Sequence, residues 1–113
     1  MAVATCDIGG SHLSLRNEWD EDVIVRATTL SSLHSVRVPP STWGNVFSAW
    51  DGPTGEIEVF DSSCRLLASF PFERSGPSVW VDPDGRVEFT DDDGPLAEGV
   101  TRADAPFEEA HCR

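Results

Sequence analysis

Three His and three Cys are the residues of this sequence best suited to nucleophilic or metal chemistry. Nucleophilic catalysis needs a nucleophile, a base and a group that orients the base. The spacing does not supply that set. His111 falls in an acidic C-terminal stretch, His34 in a loop-like stretch, and His12 follows Gly9-Gly10-Ser11. Such a glycine pair would turn backbone N–H groups toward an anion, but the charge of the chain opposes an anionic ligand. Cys64 sits in Asp61-Ser62-Ser63-Cys64-Arg65. There Arg65 favours a thiolate and Asp61 opposes it, so Cys64 reads as a turn or core cysteine.

Metal chemistry fares no better. A blue-copper site takes two His, a Cys and a weak axial ligand, usually Met. Met1 is the only Met, and the first His after Cys64 is His111, which excludes that spacing. Calcium prefers hard oxygen ligands, and Asp82, Asp84 and the run Asp91-Asp92-Asp93 would supply them. Asp82-Pro83-Asp84-Gly85 is, however, good turn chemistry in its own right, and EF-hand spacing is absent. No single pair among the 20 acidic residues stands out as a glycosidase couple. The sequence therefore assigns no catalytic residue, metal site or cofactor, and an enzyme is the third-ranked reading.

The four Trp offer recognition in place of catalysis. Trp50 and Trp80 lie inside strand patterns and belong to the core or to a sheet surface. Trp19 sits among Asn17, Glu18, Asp20, Glu21 and Asp22, and Trp43 between Pro39-Pro40 and Gly44. A Trp in a polar loop either folds back as a lid on the core or anchors a partner. With no Tyr, a broad aromatic platform for nucleic acid or glycan is disfavoured.

Charge adds a second candidate surface. The formal net charge is −12, and every basic residue is Arg. Residues 1–50 hold five acids and three Arg, whereas 51–113 hold fifteen acids and five Arg. That field repels phosphate backbones and anionic membranes and attracts basic partners. The binding candidates are accordingly Trp19, Trp43, Asp91, Asp92 and Asp93.

The elements that must carry these residues follow period two, with turn residues about every ten positions. His12 to Arg16 alternates, Val23, Val25 and Ala27 share a face, and 29–35 reads as a loop that drops Leu30 and Leu33 near the core edge. Val36 to Val38 is a short strand ended by Pro39-Pro40, since Pro donates no ladder bond. Val46 to Trp50 is another strand. Two hairpins follow, one turning at 61–64 and one at 82–85, where Pro83 presets the turn and Gly85 supplies positive φ. The predicted core is Leu13, Leu15, Val23, Val25, Val36, Val38, Ile57, Val59, Val79, Val81, Val87 and Phe89.

Seven to eight short strands in one chain of 113 residues predict an all-β fold, a two-sheet antiparallel sandwich that resembles immunoglobulin-like domains in general architecture. The Cys–Trp–Cys arrangement diagnostic of true immunoglobulin domains is missing. The sandwich spans 1–90, and 91–113 is an acidic tail with the option of a short helix near 105–111. The N-terminus lacks a basic start and an apolar run, so no signal peptide is expected. A cytoplasmic location follows, or a virion if the source is viral, with Cys6, Cys64 and Cys112 as free thiols. The alternative for the thiols is a Cys6–Cys112 bridge. The functional expectation is a non-enzymatic protein-interaction or structural accessory module, such as a virion or assembly accessory protein or a small inhibitor. Its partner is a protein, with a basic surface favoured, and neither nucleic acid nor a membrane is contacted directly. The alternative is an acidic nucleic-acid mimic that blocks a basic nucleic-acid-binding protein.

Overall fold

The computed structural model describes residues 11–28, 33–50, 54–73, 78–90, 99–103 and 107–112. These form ten strands: β1 (Ser11–Asn17), β2 (Val23–Thr28), β3 (Leu33–Val38), β4 (Thr42–Trp50), β5 (Thr54–Asp61), β6 (Leu66–Glu73), β7 (Ser78–Val81), β8 (Val87–Thr90), β9 (Thr101–Arg102) and β10 (Glu108–Glu109). They assemble into two five-stranded sheets. Sheet A has the order β8-β7-β1-β4-β9, and sheet B the order β10-β3-β2-β5-β6. No helix occurs among the described residues.

Alternation along the strands sends one set of side chains between the sheets. Leu13, Leu15, Val46, Val79 and Val81 from sheet A meet Val23, Val25, Ala27, Val38, Ile57 and Val59 from sheet B in one buried cluster. Val36, Val87 and Phe89 are half-buried against it. A core shared by two inner faces makes the fold sandwich-like. At one end Asn17 is fully buried, and its amide nitrogen donates to the carbonyls of Glu21, Val38 and Pro39 at 2.9, 3.3 and 3.1 Å. Its side-chain oxygen accepts the Trp19 N–H at 3.1 Å. One side chain thus ties the end of a sheet A strand to the end of β3 in sheet B.

The two hairpin turns are near duplicates. In 82–86 the Gly85 N–H donates to the Asp82 carbonyl, and the Asp82 side chain accepts the N–H groups of Asp84 and Arg86. In 61–65 the Cys64 N–H donates to the Asp61 carbonyl, and the Asp61 side chain accepts those of Ser63 and Arg65. Gly85 has φ 84° and Cys64 occupies the equivalent position at φ 66°. A cysteine therefore stands where the turn favours glycine.

The reason lies at the other end of the chain. Cys64 is bonded to Cys112 across 48 residues, which corrects the expectation of free thiols at both positions. It also excludes the Cys6–Cys112 bridge, because Cys112 is already used. Cys6 itself lies outside the described residues. Sequence spacing could not select this pair, since only folding brings the 61–65 turn beside the C-terminus.

Other departures have similar causes. The helix considered for 105–111 is not formed over its described part. Glu108 and Glu109 instead pair antiparallel with Arg37 and Val36 of β3. The strand expected at Val36 begins earlier, at Leu33, which is 51% exposed and not at the core edge. Leu30 lies outside the described residues. Sheet A is not wholly antiparallel: β1 pairs parallel with β7, and β4 with β9. Parallel neighbours need long connections, and both pairs join segments far apart in the chain.

Candidate functional site

The outer face of sheet A carries a row of side chains that no single segment displays. Leu13, Leu15 and Asn17 of β1 point inward, so Arg16 points out. By register, Trp43 of β4 lies opposite Arg16 on one side and Trp80 of β7 on the other. Glu88 of β8 follows Trp80, and Arg102 of β9 follows Trp43. The row therefore reads Glu88, Trp80, Arg16, Trp43, Arg102 across all five strands.

Two pairs of its members are in cation–π contact. The Arg16 guanidinium lies 5.8 Å from the Trp80 ring centroid, and the Arg102 guanidinium 4.8 Å from that of Trp43. Each such contact contributes roughly 0.5–1 kcal/mol at an exposed site. Glu18 reaches Arg16 at 3.6 Å, with a side chain only 7% exposed. Both Trp rings are half-buried and Arg102 is exposed. The result is a pre-ordered aromatic and cationic strip on a chain whose net charge is −12. Trp and Arg are the side chains that most often anchor protein interfaces, and stacked ones lose less freedom on binding.

Trp43 thus lies in a strand, not in the loop assigned from the Pro-Pro and Gly flanks, because β4 starts directly after the turn at Pro40 and Ser41. Trp19 is elsewhere. It is half-buried and packs on the shared core. Its ring lies so close to Gly85 that a Cβ there would meet ring carbons at 2.9 Å. Asp91, Asp92 and Asp93 lie outside the described residues. Of the five candidates, the structure draws Trp43 into the row and places Trp19 on the 82–86 turn. Arg16, Trp80 and Arg102 were missed as candidates. For Trp80 a signal existed, since Val79 and Val81 take the core phase and leave it facing outward. For Arg102 there was none.

No family model, curated protein or solved structure matches the chain. The geometry therefore speaks for itself. Among the described residues no three His, Cys, Asp or Glu side chains are grouped to hold a metal ion. The Asp82 oxygen considered for calcium accepts two backbone amides of its own turn. Among the described residues, too, no helix is long and apolar enough to cross a membrane.

Proposed function

We propose that the chain is a non-enzymatic protein-binding module whose contact surface is the outer face of sheet A. The observation that carries this reading is the in-register row of Trp80, Arg16, Trp43 and Arg102. It supplies two aromatic anchors and one exposed guanidinium fork, Arg102, at fixed spacing on a sheet, with Arg16 held between the two Trp positions by its pair with Glu18. The partner is a protein whose own surface is basic overall, drawn in by the −12 field. Its docking patch offers carbonyl or carboxylate acceptors to Arg102 and apolar groups to the Trp edges. An immunoglobulin-like placement in general architecture is supported by two facing sheets of short strands, although the parallel β1·β7 pair departs from a purely antiparallel plan. The Cys64–Cys112 bridge favours an oxidising compartment as the working location, in place of the cytoplasm.

The test is recovery of a partner from the source cell with the wild-type chain and with a Trp43→Ala, Arg102→Ala double variant. A Leu66→Ser variant, at an exposed site on sheet B, serves as control. Loss of a hot-spot Trp costs at least ~2 kcal/mol, about 30-fold in affinity. The double variant is expected to lose the partner and the control to keep it. Full retention by the double variant, with affinity falling steeply as salt rises, would instead favour the acidic nucleic-acid mimic.

A further inference from the structure

We infer that residues 108–112 form a strap on sheet B, pairing along its β3 edge and closing over Ile24 and Phe60 on its outer face, locked by the Cys64–Cys112 disulfide and opened by its reduction. Ile24 of β2 points away from the shared core, between inward-facing Val23 and Val25, yet is only 2% exposed. Phe60 of β5, its register partner, is similarly buried. Both belong to a separate small cluster closed by Cys112 and Ala110. Residues 110 and 112 thus contribute to the burial of Ile24 and Phe60 on this outer face.

The segment is anchored at its start by Phe107, half-buried against the core between the sheets, and beyond that anchor its non-covalent hold is slight. β10 pairs with only two residues of β3. The Ala110 N–H donates to the Ser35 carbonyl at 3.2 Å, and Arg26 donates to the Cys112 carbonyl at 2.9 Å. Glu108 approaches Arg37 at 3.5 Å, but its side chain is 74% exposed, and such pairs add little. Arg26 is in any case held in place by Glu58 at 2.7 Å and by the Phe60 ring at 4.9 Å. The disulfide is therefore the main fastener of the far end of the strap, opposite the Phe107 anchor. Its Cys64 end is exposed on the 61–65 turn, and its Cys112 end is buried.

That asymmetry defines the opening reaction. The thiolate of a reducing dithiol, approaching from the side of the exposed residue Cys64, attacks the Cys64 sulfur, forming a mixed disulfide and expelling Cys112 as a thiolate, which takes up a proton. The second thiol of the reductant then attacks the mixed disulfide, releasing Cys64 as a thiol and leaving the reductant as its own disulfide. Two electrons pass from the dithiol to the protein. Residues 108–112 then lift from Ile24, Phe60 and the outer edge of β3, hinged at Phe107, which stays on the core between the sheets.

The experiment is amide hydrogen exchange on the full chain carrying Cys6→Ser, which removes the third thiol from exchange. It compares the oxidised protein, the protein in dithiothreitol, and a Cys64→Ser variant without reductant. In the latter two, the amides of 108–110 are expected to exchange at least about tenfold faster, with those of Val25 and Val59 unchanged. An apolar dye should bind more strongly in the same two states. Unchanged exchange at 108–110, or loss of protection throughout the core on reduction, would overturn the strap as a local switch.

Discussion

Two residues, Asn17 and Gly85, hold one end of the molecule together. Asn17 is a buried amide at which three carbonyls and one N–H converge. Truncation to Ala strands those groups, and buried unsatisfied polar groups cost roughly 1–3 kcal/mol each. Asn17→Ala is therefore expected to lower stability by about 2–4 kcal/mol in urea denaturation, with Glu21, Val38 and Pro39 partly rescued by water. Gly85 meets two demands at once, a φ of 84° and the Trp19 ring against its Cα. Gly85→Ala carries the left-handed penalty of roughly 1–2 kcal/mol, plus displacement of the ring. In a Trp19→Ala background only the backbone penalty remains. A double-mutant cycle should thus give a coupling of about 1 kcal/mol or more, and none if the ring is not seated there. At the twin position, Cys64, the same backbone strain is accepted for the sake of the bridge. Once the bridge is absent, Cys64→Gly should be more stable than Cys64→Ser by about 1 kcal/mol in thermal unfolding.

At the level of elements, the shortest strands depend most on side chains. β9 is two residues long, and its backbone adds the Thr101 N–H to the Ser41 carbonyl and the Ala103 N–H to the Trp43 carbonyl, at 2.9 and 2.8 Å. Arg102 stacking on Trp43 supplements these bonds from the outer face. Arg102→Ala is expected to weaken β9 by roughly 0.5–1 kcal/mol, read as faster exchange of the Thr101 and Ala103 amides. The amides of β1 and β4 that face each other should be unaffected. If β9 kept its full protection, the stacking would contribute nothing to the row's order. β1, by contrast, is a central strand with partners on both sides and an inward set of Leu13, Leu15 and Asn17. Its position makes it the axis on which the recognition row is aligned.

On the scale of the whole molecule, the disulfide and the net charge dominate. A bridge closing 48 residues constrains the unfolded chain by about 4 kcal/mol in the chain-entropy view, and measured values cluster at roughly 2–4 kcal/mol. Reduction should lower the urea midpoint accordingly without abolishing the fold, because the core between the sheets has no part in the bridge. The field of −12 acts beyond contact range. Association with a basic partner should slow as salt is raised, while dissociation, governed by the Trp and Arg contacts, changes little. Neutralising Asp91, Asp92 and Asp93 together is expected to flatten that salt dependence in stopped-flow measurements. An unaltered association rate at low salt would reduce those charges to plain solvation.

Period-two patterning and turn chemistry by themselves determined the all-β class, both hairpins and most of the core. Each of these depends on neighbours within ten residues. Val79 and Val81 alternate with Trp80, and Asp82 to Gly85 folds on its own hydrogen bonds. The termination of β3 before Pro39 was legible for the same local reason. What only the tertiary structure decided is which distant segments become neighbours. The pairing of β1 with β7 aligned Arg16 with Trp80, and β9 brought Arg102 onto Trp43. Residues 108–112, joining the β3 edge of sheet B, turned Ile24 from an outward residue into a buried one and matched Cys112 to Cys64. Strand order and cysteine partnership are set by how two sheets share one core, a free energy summed over the whole chain and visible in no short stretch of it.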